Sequence, residues 1–340
     1  MSHVEARPQP ENGALPGPAA DPVLRCFTPD AGLGALQGSI RHVAAAFPDG
    51  VVGNAELTDR FGLPADWIVE RCGISQRRTG GDVAALAADA ASRALAAYPA
   101  DDIDLLILAT SSGESRMPAT AADVARRLGL HCATFDLNAA CTGFVYALLT
   151  AYGFLTLGTR AVLVVGADAM SRMVDPDDRN TAILFGDGAG AAIVSRAHGD
   201  DAAALLGWHA STDPSAYDLL YAGRDTPLTM DGRAVFRYAV RGMADSAARA
   251  MTAAGVTPDE IALFVPHQAN ARIIDAGCQR LGIDETRVAS TLATTGNTSA
   301  ASVPIALSAA IDERDLRRGD LVLLSGFGAG MTCASAVVRW

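Results

Sequence analysis

The stretch ADAASRALAAYPADDIDLLI (residues 88–107) is met again as ADSAARAMTAAGVTPDEIALFV (244–265), each an alanine-rich helix leading through an acidic turn into an apolar strand. Ala88, Asp89, Arg93 and Ala94 recur as Ala244, Asp245, Arg249 and Ala250. Further on, AVLVVGADAM (161–170) is matched by LVLLSGFGAG (321–330), with Gly166 opposite Gly326. Alanine and valine are common enough for either match to arise alone. Their shared spacing, close to 160 residues, predicts a duplicated α/β unit. IDLLILAT (103–110), AVLVVGADA (161–169), IALFVP (261–266) and LVLLSGFG (321–328) read as strands buried on both faces, as in a largely parallel sheet covered by helices. Helical periodicity is expected over 83–98, over 118–130 and after Cys141.

At 340 residues, half of them hydrophobic, the chain can bury a large core and divides into two domain-sized halves, 35–198 and 199–340. Residues 1–34, rich in Pro, Ala and Gly, read as a flexible arm without the basic start and apolar run of a signal peptide. A net charge of −11 argues against nucleic acid or an anionic membrane as a partner. No stretch is long and uncharged enough to be a transmembrane helix. All 27 basic residues are arginine, so an anion must be met by guanidinium or backbone N–H. The six cysteines have no C-x-x-C spacing, which suggests neither a metal site nor a disulfide framework and fits a reducing cytoplasm.

Cys141, in DLNAACTGFVYALL (136–149), stands where an extended segment turns into an apolar helix. A helix N-terminus lowers a thiol pKa, so this cysteine is either a nucleophile or, as buried cysteines commonly are, a small apolar filler. The repeat spacing sets it opposite Asn297 in TTGNTSAASVPIAL (294–307), which reads as a helix cap or as an amide donor. His267, in LFVPHQANARII, follows a buried strand, where ligands gather in open α/β sheets; a structural histidine is the alternative. Cysteine, histidine and asparagine in one cleft would form an acyl-transfer set. The glycine-rich FGDGAGAAIV (185–194) and GFGAGMTCAS (326–335) lack nucleotide-binding spacing and are expected to give tight turns and close backbone approach. In GFGAG that approach could aim an N–H at an oxyanion.

With WIVERCGISQRR, AACTGFVYAL, DPDDRNTAILFGDGAGAA, VPHQANARII, GNTSAASVP and GFGAG in this order, the chain resembles the β-ketoacyl-acyl carrier protein synthase III family from about residue 36 onward. The resemblance implies a thiolase-like, duplicated, five-layered α-β-α-β-α fold, a homodimer, and a triad of Cys141, His267 and Asn297. It implies an oxyanion hole from the N–H groups of Cys141 and Ala329, and coenzyme A contacts at Trp67, Arg71 and Arg179. Phe327 and Met117 would shape the acyl pocket, Met117 from across the dimer where relatives often carry an aromatic residue. Arg237 and Arg272, with Arg280 nearby, would receive the carrier protein. No cofactor is implied beyond acyl-CoA as substrate. Cys141 would take an acyl group from acyl-CoA and pass it, with loss of CO₂, to malonyl-acyl carrier protein, as in the priming step of a polyketide or fatty acid pathway. An acyltransferase with another acceptor and a non-catalytic partner subunit are the alternatives. Three departures stand out: Met117; Ala329 at a usual glycine, which narrows its backbone geometry; and Cys72 at a common threonine.

Overall fold

The computed structural model describes residues 36–196 and 203–340. The expected arm and the boundary at 198/199 therefore lie outside the described residues. The chain runs β1 (Leu36–Gln37), β2 (Ser39–Ala46), β3 (Gly50–Gly53), α1 (Asn54–Phe61), α2 (Trp67–Cys72), β4 (Gln76–Thr79), α3 (Val83–Leu95), β5 (Ile103–Ala109), α4 (Thr120–Leu128), β6 (Ala133–Leu137), α5 (Gly143–Thr156), β7 (Ala161–Ala169), α6 (Arg179–Ala182) and β8 (Asp187–Ser195). It continues β9 (Ala204–Thr212), β10 (Leu220–Tyr221), β11 (Thr229–Met230), α7 (Gly232–Ala254), β12 (Ile261–Pro266), α8 (Ala271–Leu281), α9 (Leu292–Thr295), α10 (Ser302–Glu313), β13 (Leu321–Gly328) and β14 (Thr332–Arg339).

Two five-stranded sheets have related orders, β2-β8-β7-β5-β6 and β1-β9-β14-β13-β12. In each, an antiparallel pair (β7 with β8, β13 with β14) is followed by a parallel neighbour, β5 or β12. Where β6 pairs with β5, the second sheet keeps a single bridge, Phe264 to Val288. Strand alternation sorts the layers. Leu105 and Ile107 of β5 and Val322 and Leu324 of β13 face inward onto α5 and α10, in one core with Phe144, Leu148, Val303 and Leu307. Leu106, Leu108 and Leu163 face outward onto α3 and α4, and Phe264 and Leu323 onto α7 and α8. The result is helix, sheet, paired central helices, sheet, helix. It is the five-layered duplication that the repeat and the resemblance predict.

Burial explains the helix compositions. α5, GFVYALLTAYGFLT, is apolar on most faces because it lies between two sheets. Truncating its fully buried Leu148 to alanine would cost about 2–5 kcal/mol. α7 begins at Asp231, whose carboxylate accepts the N–H groups of Arg233 and Ala234, and ends at Gly255 in the left-handed region. Among the described residues, no helix is long and apolar enough to cross a membrane.

The glycine-rich segment 185–194 departs from expectation. It is not a set of turns: from Asp187 it is the fully buried strand β8. Its glycines serve close approach instead, since a Cβ at Gly190 would lie 2.7 Å from the Pro304 ring. The repeat glycines follow the same rule. A Cβ at Gly166 would meet the Ala300 carbonyl oxygen at 2.4 Å, and one at Gly326 would meet Thr142 Cα at 3.2 Å. Each sheet thus lets the other half's central helix start against its backbone.

Candidate active site

Both central helices begin with a short 3₁₀ turn, Ala140–Thr142 before α5 and Ser299–Ala301 before α10. The turns share their hydrogen bonds. Asn138 Oδ1 accepts the Ala140 N–H at 3.1 Å, and Asn297 Oδ1 accepts the Ser299 N–H at 2.9 Å. Ala140 and Ser299, with φ of 47° and 50°, are the two non-glycine residues with positive φ among the described residues. The structural mate of Asn297 is therefore Asn138, and that of Cys141 is Ala300. This corrects the pairing of Cys141 with Asn297 by three residues. The helix repeat runs at a spacing of 156, and the chain gains three residues before the elbows.

Cys141, His267, Asn297, Phe327 and Gly328 nevertheless line one cavity of about 80 Å³. A wider groove of about 680 Å³ between β2 and α10 contains none of them. His267 follows β12; its N–H donates to the Ser325 carbonyl at 2.8 Å, Nδ1 lies 2.6 Å from Ser302 Oγ, and its ring meets the edge of Phe327 at 5.2 Å. That leaves Nε2 for the cavity. Burial pushes the imidazole down to about 3, so it is neutral at physiological pH. Asn297 donates its N–H to the Leu184 carbonyl at 2.8 Å and accepts the Gly186 N–H at 3.0 Å. With Oδ1 held by Ser299, the amide nitrogen is the group left for the cavity.

The thiol is not the low-pKa group that its helix N-terminus suggested. Burial pushes Cys141 up to about 12, opposed by a hydrogen bond from Ser299 and reinforced by the charge of Asp168. The resting pair is thus a thiol beside a neutral imidazole. Gly328 explains the closeness of the GFGAG loop, because a Cβ there would lie 2.7 Å from Cys141 N. Ala329 does not carry the constraint expected of it. The left-handed position is Gly330, with φ of 116°, so alanine at 329 meets no backbone penalty.

The remaining residues fall into groups. Trp67 and Arg71 share α2, with the guanidinium 6.0 Å from the indole. Asn270, which lines the cavity, donates to the Arg71 carbonyl at 3.4 Å. Arg179 is exposed at the start of α6, and the adjoining loop is tied to α1 by Arg60–Asp177 at 2.7 Å. Arg237 is exposed beside the cavity-lining Phe236, and Arg272 stacks over the Phe236 ring at 5.9 Å. Arg280, farther along α8, is paired with Asp245 at 3.3 Å. Met117 is 86% exposed and does not line this chain's cavity.

Sequence reasoning passed over four residues. Asp168, Ser299 and Ser302 surround Cys141 and His267, and Asp168 had a signal in being an acid inside an apolar strand run. Arg77 is fully buried, with Nη2 donating to the Ile183 carbonyl at 2.6 Å and Nη1 to Asn54 Oδ1 at 2.8 Å. It braces the 183–186 segment that grips Asn297. Nothing local in the sequence separates it from a surface arginine.

Residues 135–214 match the family model of 3-oxoacyl-(acyl-carrier-protein) synthase III, and residues 251–340 match that of its C-terminal part. The β-ketoacyl-(acyl-carrier-protein) synthase III of Mesorhizobium japonicum is 41% identical over 322 residues, covering 90% of this chain and all of that one. The crystal structure of the 3-oxoacyl-(acyl carrier protein) synthase III from Pseudomonas aeruginosa superposes with a TM-score of 0.85 at 40% identity, covering 89% of this chain and 98% of that one. The priming β-ketosynthase of the R1128 polyketide pathway gives a TM-score of 0.84 at 33% identity, covering 90% and 97%.

Proposed function

The chain belongs to the 3-oxoacyl-(acyl-carrier-protein) synthase III family of condensing enzymes, and from that premise we propose that Cys141, His267 and Asn297 carry its reaction. The supporting observation is that these three side chains, from three separate segments, line one narrow cavity. An acyl-CoA enters past Trp67, Arg71 and Arg179. Cys141 Sγ attacks the thioester carbonyl while its proton passes to His267 Nε2; the oxyanion is met by the N–H groups of Cys141 and Ala329. The C–S bond to coenzyme A breaks, the proton goes to the leaving thiolate, and the acyl group rests on sulfur. Taking the proton at Nε2 uses the tautomer in which Nδ1–H donates to Ser302 Oγ; the second half-reaction uses the other, in which Ser302 Oγ donates to Nδ1, and the imidazole changes tautomer between them by proton exchange with solvent.

Malonyl-acyl carrier protein then docks at Arg237 and Arg272. Its bond to the carboxylate breaks, CO₂ leaves, and the electron pair is held as an enolate by Nε2–H of His267 and the Asn297 amide. Attack on the acyl-enzyme forms the new carbon–carbon bond and breaks the acyl–sulfur bond, and the released Cys141 thiolate takes one proton from solvent to return as the thiol. Two neutral donors suit a charge that appears only as CO₂ departs. The likeness to a priming ketosynthase supports a starter-unit role in a polyketide or fatty acid pathway. The exposed Met117 suits a homodimer in which its thioether closes the acyl pocket of the partner subunit. The five described cysteines are free thiols, as a cytoplasmic enzyme requires.

The test loads the enzyme from a panel of acyl-CoAs and then adds malonyl-acyl carrier protein. Ketoacyl-acyl carrier protein and CO₂ are expected in equal amounts. An acyl adduct that transfers only to another acceptor, with no CO₂, would overturn the condensation.

A further inference from the structure

Arg77, on β4 opposite Val52 of β3, is 1% exposed. Its hydrogen bonds go to neutral oxygens. Nη1 donates to Asn54 Oδ1 at 2.8 Å and to the Val52 carbonyl at 3.4 Å, and Nη2 donates to the Ile183 carbonyl at 2.6 Å. Nε, also buried, has no partner among the described residues. Burial pushes the guanidinium down to about 10, so it remains charged at neutral pH. A buried cation bonded to no carboxylate, with one donor unmet, is a costly residue for stability alone, and an apolar side chain of similar volume commonly does better. Its value lies in what it holds.

Ile183 follows α6 and opens the segment that runs into β8. The next three residues form the bed of Asn297. The Leu184 carbonyl accepts the Asn297 N–H at 2.8 Å, Phe185 bridges to Asn297 in parallel, and the Gly186 N–H donates to the Asn297 carbonyl at 3.0 Å. The Arg77 stem lies against both sides of this bridge: a Cβ at Gly186 would stand 3.2 Å from Arg77 Cβ, and one at Gly296 would stand 3.0 Å from it. Asn54, the other anchor of the guanidinium, donates to the Ile74 carbonyl at 2.7 Å, which fastens it beside β3 and β4. We propose that Arg77 is a positioning residue for Asn297: by tying the Ile183 carbonyl to β3 and β4, it sets where the Asn297 amide stands in the cavity. The inference rests on the reading of Asn297 as a donor to the enolate. Cys141, before α5, and His267, after β12, are carried by other elements, so loss of Arg77 strikes the second half-reaction and spares the first.

The test compares the full-length protein with Arg77→Met, Arg77→Lys, Asn297→Ala and the double variant Arg77→Met/Asn297→Ala. Acylation of Cys141 is timed by intact mass, using whichever acyl-CoA of a series from acetyl to octanoyl loads the unaltered enzyme fastest. CO₂ release from malonyl-acyl carrier protein is then measured per acylated Cys141, so unfolded molecules are not counted. In Arg77→Met, kcat for CO₂ release is expected to fall about tenfold, as a small misplacement of a donor produces, with KM for malonyl-acyl carrier protein and the acylation rate held within about twofold. Arg77→Lys, which keeps the charge but not the fork, should show the same split to a smaller degree. On the Asn297→Ala background Arg77→Met should cost nothing further, because the group it places is gone. A merely structural role lowers acylation and CO₂ release in one proportion, or adds its loss undiminished to that of Asn297→Ala. Either result, or an unchanged kcat in Arg77→Met, overturns the proposal. Should Arg77→Met not fold, the split in Arg77→Lys decides, and its absence refutes the proposal. A loss in Asn297→Ala with none in the Arg77 variants refutes the positioning alone. CO₂ release at the unaltered rate in Asn297→Ala refutes the reading of Asn297, and the inference falls with it.

Discussion

The elbow at residues 138–141, Asn-Ala-Ala-Cys, and the elbow at 297–300, Asn-Thr-Ser-Ala, share a backbone and differ in what each position offers. In the first the cavity-lining thiol stands at the fourth position, Cys141, and the asparagine serves the turn. In the second the fourth position is the mute Ala300, while the first supplies Asn297 to the cavity. The strands beneath differ in a matching way. Asp168 and Gly328 are repeat mates; Asp168 fills the N–H of Ala300 with a carboxylate, whereas Gly328 puts no side chain beside the N–H of Cys141. Duplication supplied two equivalent junctions, and side-chain differences left a thiol beside an open N–H at one and an amide beside a carboxylate-filled N–H at the other.

The comparison breaks most sharply at the two asparagines. Asn297→Ala is expected to reduce malonyl-acyl carrier protein decarboxylation by about 10²–10³-fold, the usual loss for one donor to a developing oxyanion. Acylation of Cys141 should fall much less. Asn138→Ala removes only the turn hydrogen bond, costing about 1 kcal/mol of stability, with decarboxylation little changed. Paired CO₂-release and thermal-melt assays check this, and equal losses of activity would erase the distinction between the elbows.

A smaller effect separates the outer layers. In the second half His209 Nδ1 lies 3.0 Å from Ser246 Oγ, which continues to Ser335 and Ser325. The repeat mates of these four in the first half are Ala44, Ala90, Ala191 and Val165. Burial pushes His209 down to about 4 from 6.5. Its folded value lies below its unfolded one, so the stabilisation is complete above pH 6.5 and is lost as pH falls through 4, about 3 kcal/mol in full. Melting temperature should therefore fall with acid between these limits, and His209→Gln should flatten the curve. Hydrogen exchange at pH 5 should open α7 and β9 before α3 and β2. An unchanged acid slope in the variant would remove His209 as its source.

Much of this was legible in the residues, for physical reasons. Strands buried on both faces announce themselves as apolar runs, so β5, β7, β12 and β13 could be read directly, and the repeat carried the duplication. β8 hid because a strand pressed against the start of a helix must be built of glycine and alanine, the composition of a turn. Cys141, His267 and Asn297 could be picked out because each closes a strand or opens a helix. The direction of the thiol pKa could not, since it depends on burial and on Asp168 and Ser299, which are distant in sequence. The elbow register slipped because the spacing of the helices was carried across a segment that had gained three residues.

The central claim is that the cleft between the halves is an acyl-transfer site with Cys141 as its nucleophile. Peptide mapping by mass spectrometry after brief exposure to acyl-CoA tests it most directly. A single acyl group on the peptide containing Cys141, absent in Cys141→Ala, is the predicted result. An acyl group on any other cysteine, or an equal adduct in Cys141→Ala, would contradict it.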